Sequence, residues 1–339
     1  MTTAYSGDGI TFPDNSVQAT APKVGMVNRL INSDMRIDQR NGGASVTPAA
    51  NAYTLDRWLA NVSAASKFSV VQSTAAPAGF TNSVLLTSTS AYSVASGDYN
   101  TFQQRIEANN MMDAGWGTSS AQAFTLSFWV RSSLTGTFGG SLYSPASTAR
   151  TFPFSYVINS ANTWEQKTIT ITGDTTSNTA PTGNSLYVLV QWALGVGSTY
   201  TTATTGWQNG NFACPTGSTN LIATNGASLQ FTGVQLEKGS STDFEYVDYG
   251  RQLQMCQRYY QQIGSTAGVA SSASGFTAAF QYFTPMRATP TVSLSAVLSI
   301  TDTNTADFSQ SSTNIVIVTG TRANTLGMNI NAANFTGLT

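Results

Sequence analysis

The chain has 339 residues, enough for two domains, or for one large β domain with appendages, and for a sizeable buried core. Charged residues make up 9% of it, against about 25% in ordinary globular proteins, its net charge is -1, and it has no histidine. A nucleic-acid surface, which needs clustered Lys and Arg, is excluded: the nearest cluster, Arg36 and Arg40, is interrupted by Asp38. The commonest general base and metal ligand is absent too. With 41% hydrophobic and 11% aromatic residues the chain is not a disordered one, so Thr, Ser, Asn, Gln and Gly must fill its outer faces. Two cysteines, Cys214 and Cys256, are too few for a disulfide scaffold and read as buried free thiols. The first residues lack a secretory pattern, and the longest apolar runs, Leu186–Val190 and Ile315–Val318, are strand-sized. A soluble product with no membrane insertion, assembled in a reducing cytoplasm, is expected.

In chain order, residues 1–25 form a separate piece. Two short extended stretches flank a Pro13-Asp14-Asn15-Ser16 turn, with Ile10, Phe12 and Val17 as alternating apolar anchors. These anchors are too few to fold alone and suit an attachment segment that adds strands to another protein. Residues 26–262 form the main domain. Phe124, Leu126, Phe128 and Val130 alternate with mostly polar residues, Lys167–Thr172 repeats the pattern, and Leu186, Val188, Val190 and Trp192 share one face. Short alternating strands between Gly/Pro/Asn/Ser turns predict an all-β sandwich. The spacing of Phe102 and Ile106 predicts a helix over Tyr99–Met112.

Val234 and Leu236 alternate with Gln235 and Glu237, as in a strand with one buried face, and Lys238-Gly239-Ser240-Ser241 turns the chain. Tyr249, Leu253, Cys256 and Tyr260 then fall on one face of a short helix, with Asp248 as its N-cap and Leu253 sealing the sandwich. Residues 263–339 return to β: Phe276, Ala278, Phe280 and Tyr282 alternate, Val292–Leu298 follows, and Ile315–Val318 and Met328–Ile330 supply further strands. This C-terminal β unit has a marginal core of its own and calls for packing on its neighbours.

Three constellations bear on chemistry. The glutamates Glu107, Glu165, Glu237 and Glu245 include one pair, Glu237 and Glu245, able to approach as the two carboxylates of a glycosidase. The simpler reading is that they brace the corner, so no catalytic residue is assigned. Leu194–Thr199 lacks the lysine and following helix of a phosphate loop and reads as a β-turn. For a glycan or partner contact, Trp129 and Arg131 stand on the polar face of their strand and Trp207 in a polar Gly-rich loop, whereas Trp58, Trp164 and Trp192 read as core.

The segments Leu30–Arg40 and Tyr53–Trp58, together with the Val234–Gly239 strand and the helix of residues 249–260, resemble the ends of a jelly-roll module of bacteriophage tail-fibre and other virion surface proteins. That module is similar to carbohydrate-binding domains. The Gly9–Gln18 stretch and Pro285–Val292 resemble attachment and C-terminal elements of phage fibre proteins. The resemblance implies a jelly-roll β-sandwich with a short closing helix, a smaller C-terminal β domain and an extended N-terminal segment. It also implies a virion location, other virion proteins as partners, self-association as a trimer, and host-surface glycan as a ligand. A capsid decoration or head-fibre protein and a polysaccharide-degrading spike enzyme are the alternatives. No cofactor is expected. A structural Ca2+ enters only through the resemblance, with Asp34, Asp38 and backbone carbonyls as its oxygen ligands, although no loop has EF-hand spacing.

Overall fold

A computed structural model describes residues 26–263, 282–288 and 290–291, with the backbone of short strands on either side. Two antiparallel sheets face each other. The strands of the main domain are β1 (Ala52–Leu55), β2 (Trp58–Val62), β3 (Phe68–Ser73), β4 (Ser83–Ser88), β5 (Tyr99–Glu107), β6 (Phe124–Ser132), β7 (Gly136–Ser144), β8 (Arg150–Ile158), β9 (Glu165–Ile171), β10 (Leu186–Val196) and β11 (Ser228–Lys238). One sheet has seven strands in the order Gln208–Asn209, β8, β7, β10, β5, β2, β1. The other has five, in the order β9, β6, β11, β4, β3. The domain is a jelly-roll β-sandwich, as expected.

Alternation builds the core. Phe124, Leu126, Phe128 and Val130 of β6 point inward, opposite Val188, Val190, Trp192 and Leu194 of β10. Trp192 lies at the centre, with ring centroids 5.5 Å from Phe128, 5.0 Å from Phe231 and 6.0 Å from Trp58, which stacks on Phe102 at 5.3 Å. Trp58 and Trp192 are core residues, but Trp164 is only half-buried.

The helix expected over Tyr99–Met112 is instead strand β5 followed by 3-10 turns at Ala108–Asn110 and Met112–Ala114. A spacing of four fits a strand as well as a helix, because four is also even. Asn100, Phe102, Gln104 and Ile106 face inward together, and the Gln104 amide is satisfied by both backbone groups of Ile31 at 2.8 and 2.9 Å.

In β11 the inward set shifts from Leu229 and Phe231 to Val234 and Leu236, across an irregularity between Thr232 and Gln235. Gly233 makes this shift, with φ +58, and a Cβ there would sit 2.5 Å from the Phe80 ring. The outer face of this stretch is buried as well, contrary to the one-faced strand expected: the corner after the strand folds back over Gln235 and Glu237.

The two ends of the domain meet. The chain at 28–37 runs beside β11, with Arg29 N donating to Leu236 O and Val234 N to Ser33 O. Asn32 ties Ile37, Asp56 and Trp58 together through its side chain and carbonyl. Helix α1 (Tyr249–Gln257) is capped by Asp248, which accepts from Arg251 N at 3.1 Å. Its packed face differs from the expected one. Gln252 and Cys256 are buried, Leu253 is half-buried and Tyr249 is exposed. The helix covers a satellite cluster of Ile31, Ile37 and Cys256, so Leu253 does not seal the main core.

Near the N-terminus, Gly9–Thr11 pairs with Ala4–Ser6 and Val17–Gln18, placing Ile10 and Val17 on strands; Phe12 lies outside the described residues. Beyond the helix, Gly268–Ser272, Gly275–Gln281, Thr325–Asn331 and Ile315–Thr319 form an antiparallel sheet in that order, and the strand expected at 292–298 lies outside the described residues. Residues 282–288 dock on the main domain: Arg287 N donates to Arg258 O, and Gln261 bonds Phe283 N and Thr284 O.

Candidate functional site

The outer face of the seven-stranded sheet carries polar rows, as the strand register dictates. Leu59, Gln103, Gln191 and Ser141 stand side by side on β2, β5, β10 and β7, and Asn61, Thr101 and Ala193 form the next row. Such residues read as solvent-facing in the sequence, yet Thr101, Gln103, Gln191 and Ser141 are buried. What covers part of this face is the long connection from β10 to β11, residues 197–227.

The connection is pinned to the sheet. Ser141 Oγ donates to Phe212 O at 2.7 Å and Thr151 Oγ1 to Gly210 O at 2.7 Å. Ala193 and Val196 pack on Ala213 and Cys214, with Tyr200 against them. Gly139 lets the layers approach, since a Cβ there would lie 2.3 Å from Ser218 Oγ. Within the connection Ala213 N donates to Tyr200 O at 2.7 Å, and Thr201–Thr202 pairs with Cys214–Pro215. Of the turn expected at Leu194–Thr199, Leu194, Gly195 and Val196 instead belong to β10, because its pairing with β5 runs on to Val196; the chain turns only from Gly197, where Tyr200 N donates to Gly197 O.

Between wall and sheet lies a cleft of about 270 Å³ lined by Asn61, Tyr99, Gln191, Tyr200, Asn211 and Ala213. Tyr99 and Tyr200 meet edge to face, their ring centroids 5.3 Å apart at 83°. Gln191 is held by its bond to Ser141 Oγ at 2.9 Å. The Thr101 hydroxyl, buried between Asn61 and Ala193, has no hydrogen-bond partner among the described residues. An aromatic corner beside planar amides is the equipment for holding a polyhydroxylated ring, whose C–H face packs on the aromatic ring while its hydroxyls meet the amides.

The residues singled out in the sequence lie elsewhere. Trp129 and Arg131 stand on the outer face of the five-stranded sheet, where Trp129 is flanked by Gln166 and Thr232. Arg131 donates to Asn162 O at 2.9 Å and reaches Gln230 Oε1. Trp207 is not brought to them. Its Nε1 donates to Thr172 O at 2.6 Å, and its ring stands edge-on to Trp116 at 5.0 Å and Phe152 at 5.6 Å. The recess beside it, next to the buried Arg150–Asp174 ion pair, offers about 20 Å³, room for a single water.

Both candidate carboxylates are engaged. Glu237 is fully buried and accepts from Thr242 N and Oγ1, each at 2.7 Å, and from Gln235 Nε2 at 2.9 Å. Glu245 accepts from Asn28 N at 2.7 Å. Asp34 is bound by Arg36, and Asp38 accepts from the Asn41 and Gly43 amides. Among the described residues no group of three or more Cys, Asp or Glu is placed to hold a metal. Both cysteines are free and buried, and burial pushes the Cys214 thiol up to about 11. Among the described residues no helix is long and apolar enough to cross a membrane.

Sequence reasoning missed the cleft because its residues come from β2, β5, β10 and a loop. The available signal was the length of that connection, since long ordered loops on a sandwich tend to be functional.

No protein-family model matches the chain, and no curated protein matches it. Among solved structures it is similar to the enzymatically active domain of tailspike protein 4 of bacteriophage CBA120, at 11% identity and a TM-score of 0.33, covering 63% of this chain and 22% of that one. A candidate sugar-binding protein from Bacteroides thetaiotaomicron matches at 13% identity and a TM-score of 0.37, covering 62% of this chain and 100% of that one. The family 11 carbohydrate-binding module of the Clostridium thermocellum cellulase Lic26A-Cel5E matches at 10% identity and a TM-score of 0.31, covering 60% and 99%.

Proposed function

We propose that this chain is a structural protein of a bacteriophage particle, a tail-fibre or tail-associated subunit, which holds a host-surface glycan in the Tyr99–Tyr200 cleft without cleaving it. The observation that carries the glycan reading is the cleft itself: two tyrosine rings at a right angle beside the amides of Asn61, Gln191 and Asn211. The virion reading rests on the resemblance of Leu30–Arg40, Tyr53–Trp58 and the closing strand and helix to phage fibre proteins. It is supported by the sparse charge, which opposes packing against other copies only weakly. In this reading residues 1–25 attach the subunit to neighbouring virion proteins, with Ile10, Phe12 and Val17 as anchors, and the subunit is a trimer.

Three measurements test it. A glycan array probed with the full chain should show binding that Tyr200→Ala weakens; no binding to any glycan would refute the recognition role. Antibody labelling of intact particles should place the protein on the tail, whereas label on the head would make it a decoration or head-fibre protein. Deleting residues 1–25 should remove it from particles without changing its melting temperature.

A further inference from the structure

Resting on the reading of the cleft as a glycan site, we infer that its ligand is an uncharged sugar unit, and that the cleft discriminates against the corresponding acidic sugar. Among the described residues, every side chain lining it is neutral: Asn61, Tyr99, Gln191, Tyr200, Asn211 and Ala213. The amides each offer N–H donors and a carbonyl acceptor, and the phenols each offer one hydroxyl that does both. That balance matches sugar hydroxyls, which also donate and accept.

It does not match a carboxylate, which only accepts. Gln191, whose Nε2 already donates to Ser141 Oγ, would turn its carbonyl toward the anion of a uronate or sialate group placed here. The anion would also lose its water to a site where no described lining residue is a cation to replace it. The neighbouring strand β5 carries one cation on this face, Arg105. It lies opposite Leu189, one row beyond the Gln103–Gln191 pair, and it does not line the cleft. Arg105 is exposed, so an ion pair there would be screened and weak.

The experiment uses the full chain and matched oligosaccharides that differ in one group, the C6 hydroxymethyl or the carboxylate made by its oxidation. Titration calorimetry should give about tenfold tighter binding of the neutral member. Its affinity should be unchanged between low and high salt. Tyr200→Ala and Gln191→Ala should weaken it about tenfold, with unfolding curves confirming that both variants fold, and Arg105→Gln should leave it unchanged. Equal or tighter binding of the acidic member, or affinity that falls with salt and with Arg105→Gln, would overturn this inference and leave the glycan reading intact. Absence of binding to both series, and to every neutral glycan tested, would end the glycan reading and this inference with it.

Discussion

The guanidinium of Arg57 lies 3.4 Å above the ring of Tyr259, joining a turn near the start of the domain to the residues just past its closing helix. Arg40 makes the same contact with Tyr260 at 3.6 Å. Arg57 also donates to Arg105 O and holds a left-handed φ of +74 in the Asp56-Arg57 turn between β1 and β2. A non-glycine residue keeps that conformation only where its contacts over-determine it. The two ends of the domain thus converge in a structural lock.

Arg57→Ala should destabilise the domain by about 2 kcal/mol through the lost cation–π contact and hydrogen bond. Arg57→Gly removes the same contacts but suits the turn, so it should be less harmful than Arg57→Ala by about 1 kcal/mol. Urea unfolding of both variants checks the order. The reverse order would mean that backbone strain at Arg57 is negligible.

Gly233→Ala should cost about 2–4 kcal/mol, because it combines an unfavourable φ with a methyl group 2.5 Å from Phe80. Phe80→Ala in the same chain should recover the steric part only. Thermal melts of the single and double variants measure both components.

Trp129→Ala should leave glycan affinity unchanged while Tyr200→Ala weakens it about tenfold, since Trp129 stands on the five-stranded sheet and Tyr200 on the connection that covers the seven-stranded one. Parallel array measurements decide between the platform read from the sequence and the cleft. Loss with Trp129→Ala alone would move the site to the five-stranded sheet.

Purified protein should release no reducing sugar from host polysaccharide, and Glu245→Gln should show itself in stability, at about 1 kcal/mol, through its bond from Asn28 N. Sugar release that vanishes in Glu237→Gln or Glu245→Gln would make the chain a spike enzyme.

Burial alone would raise the Glu165 carboxyl, but donation from Lys167, the Ser160 amide and both nitrogen groups of Asn159 brings it down to about 2 from its ordinary 4.5. A depressed carboxyl contributes stability above its unfolded value and loses it as pH falls toward the folded one. Glu165→Gln should therefore flatten the fall in melting temperature between about pH 4.5 and 2. Asp56, raised chiefly by burial, acts with the opposite sign: its contribution is lost as pH rises through its folded value. Melting curves across the acid range, with and without Glu165→Gln, separate the two.

Local pattern determined much by itself. Alternation in Phe124–Val130 and Leu186–Trp192 specifies strands with one face inward, and Asp248 followed by the Cys256 face specifies where the helix starts, because period and capping are properties of adjacent residues. Tertiary structure decided what depends on partners distant in sequence. Tyr99–Glu107 is a strand because β2 and β10 pair with it on either side, although its apolar spacing suited a helix equally well. Gln235 and Glu237 are buried because a later corner folds over them. The cleft exists only where a loop more than a hundred residues past Asn61 is pinned by Ser141 and Thr151 onto the sheet that carries Asn61 and Tyr99. A hydroxyl that anchors a loop and one that faces water look alike along the chain, and only the closed sandwich distinguishes them.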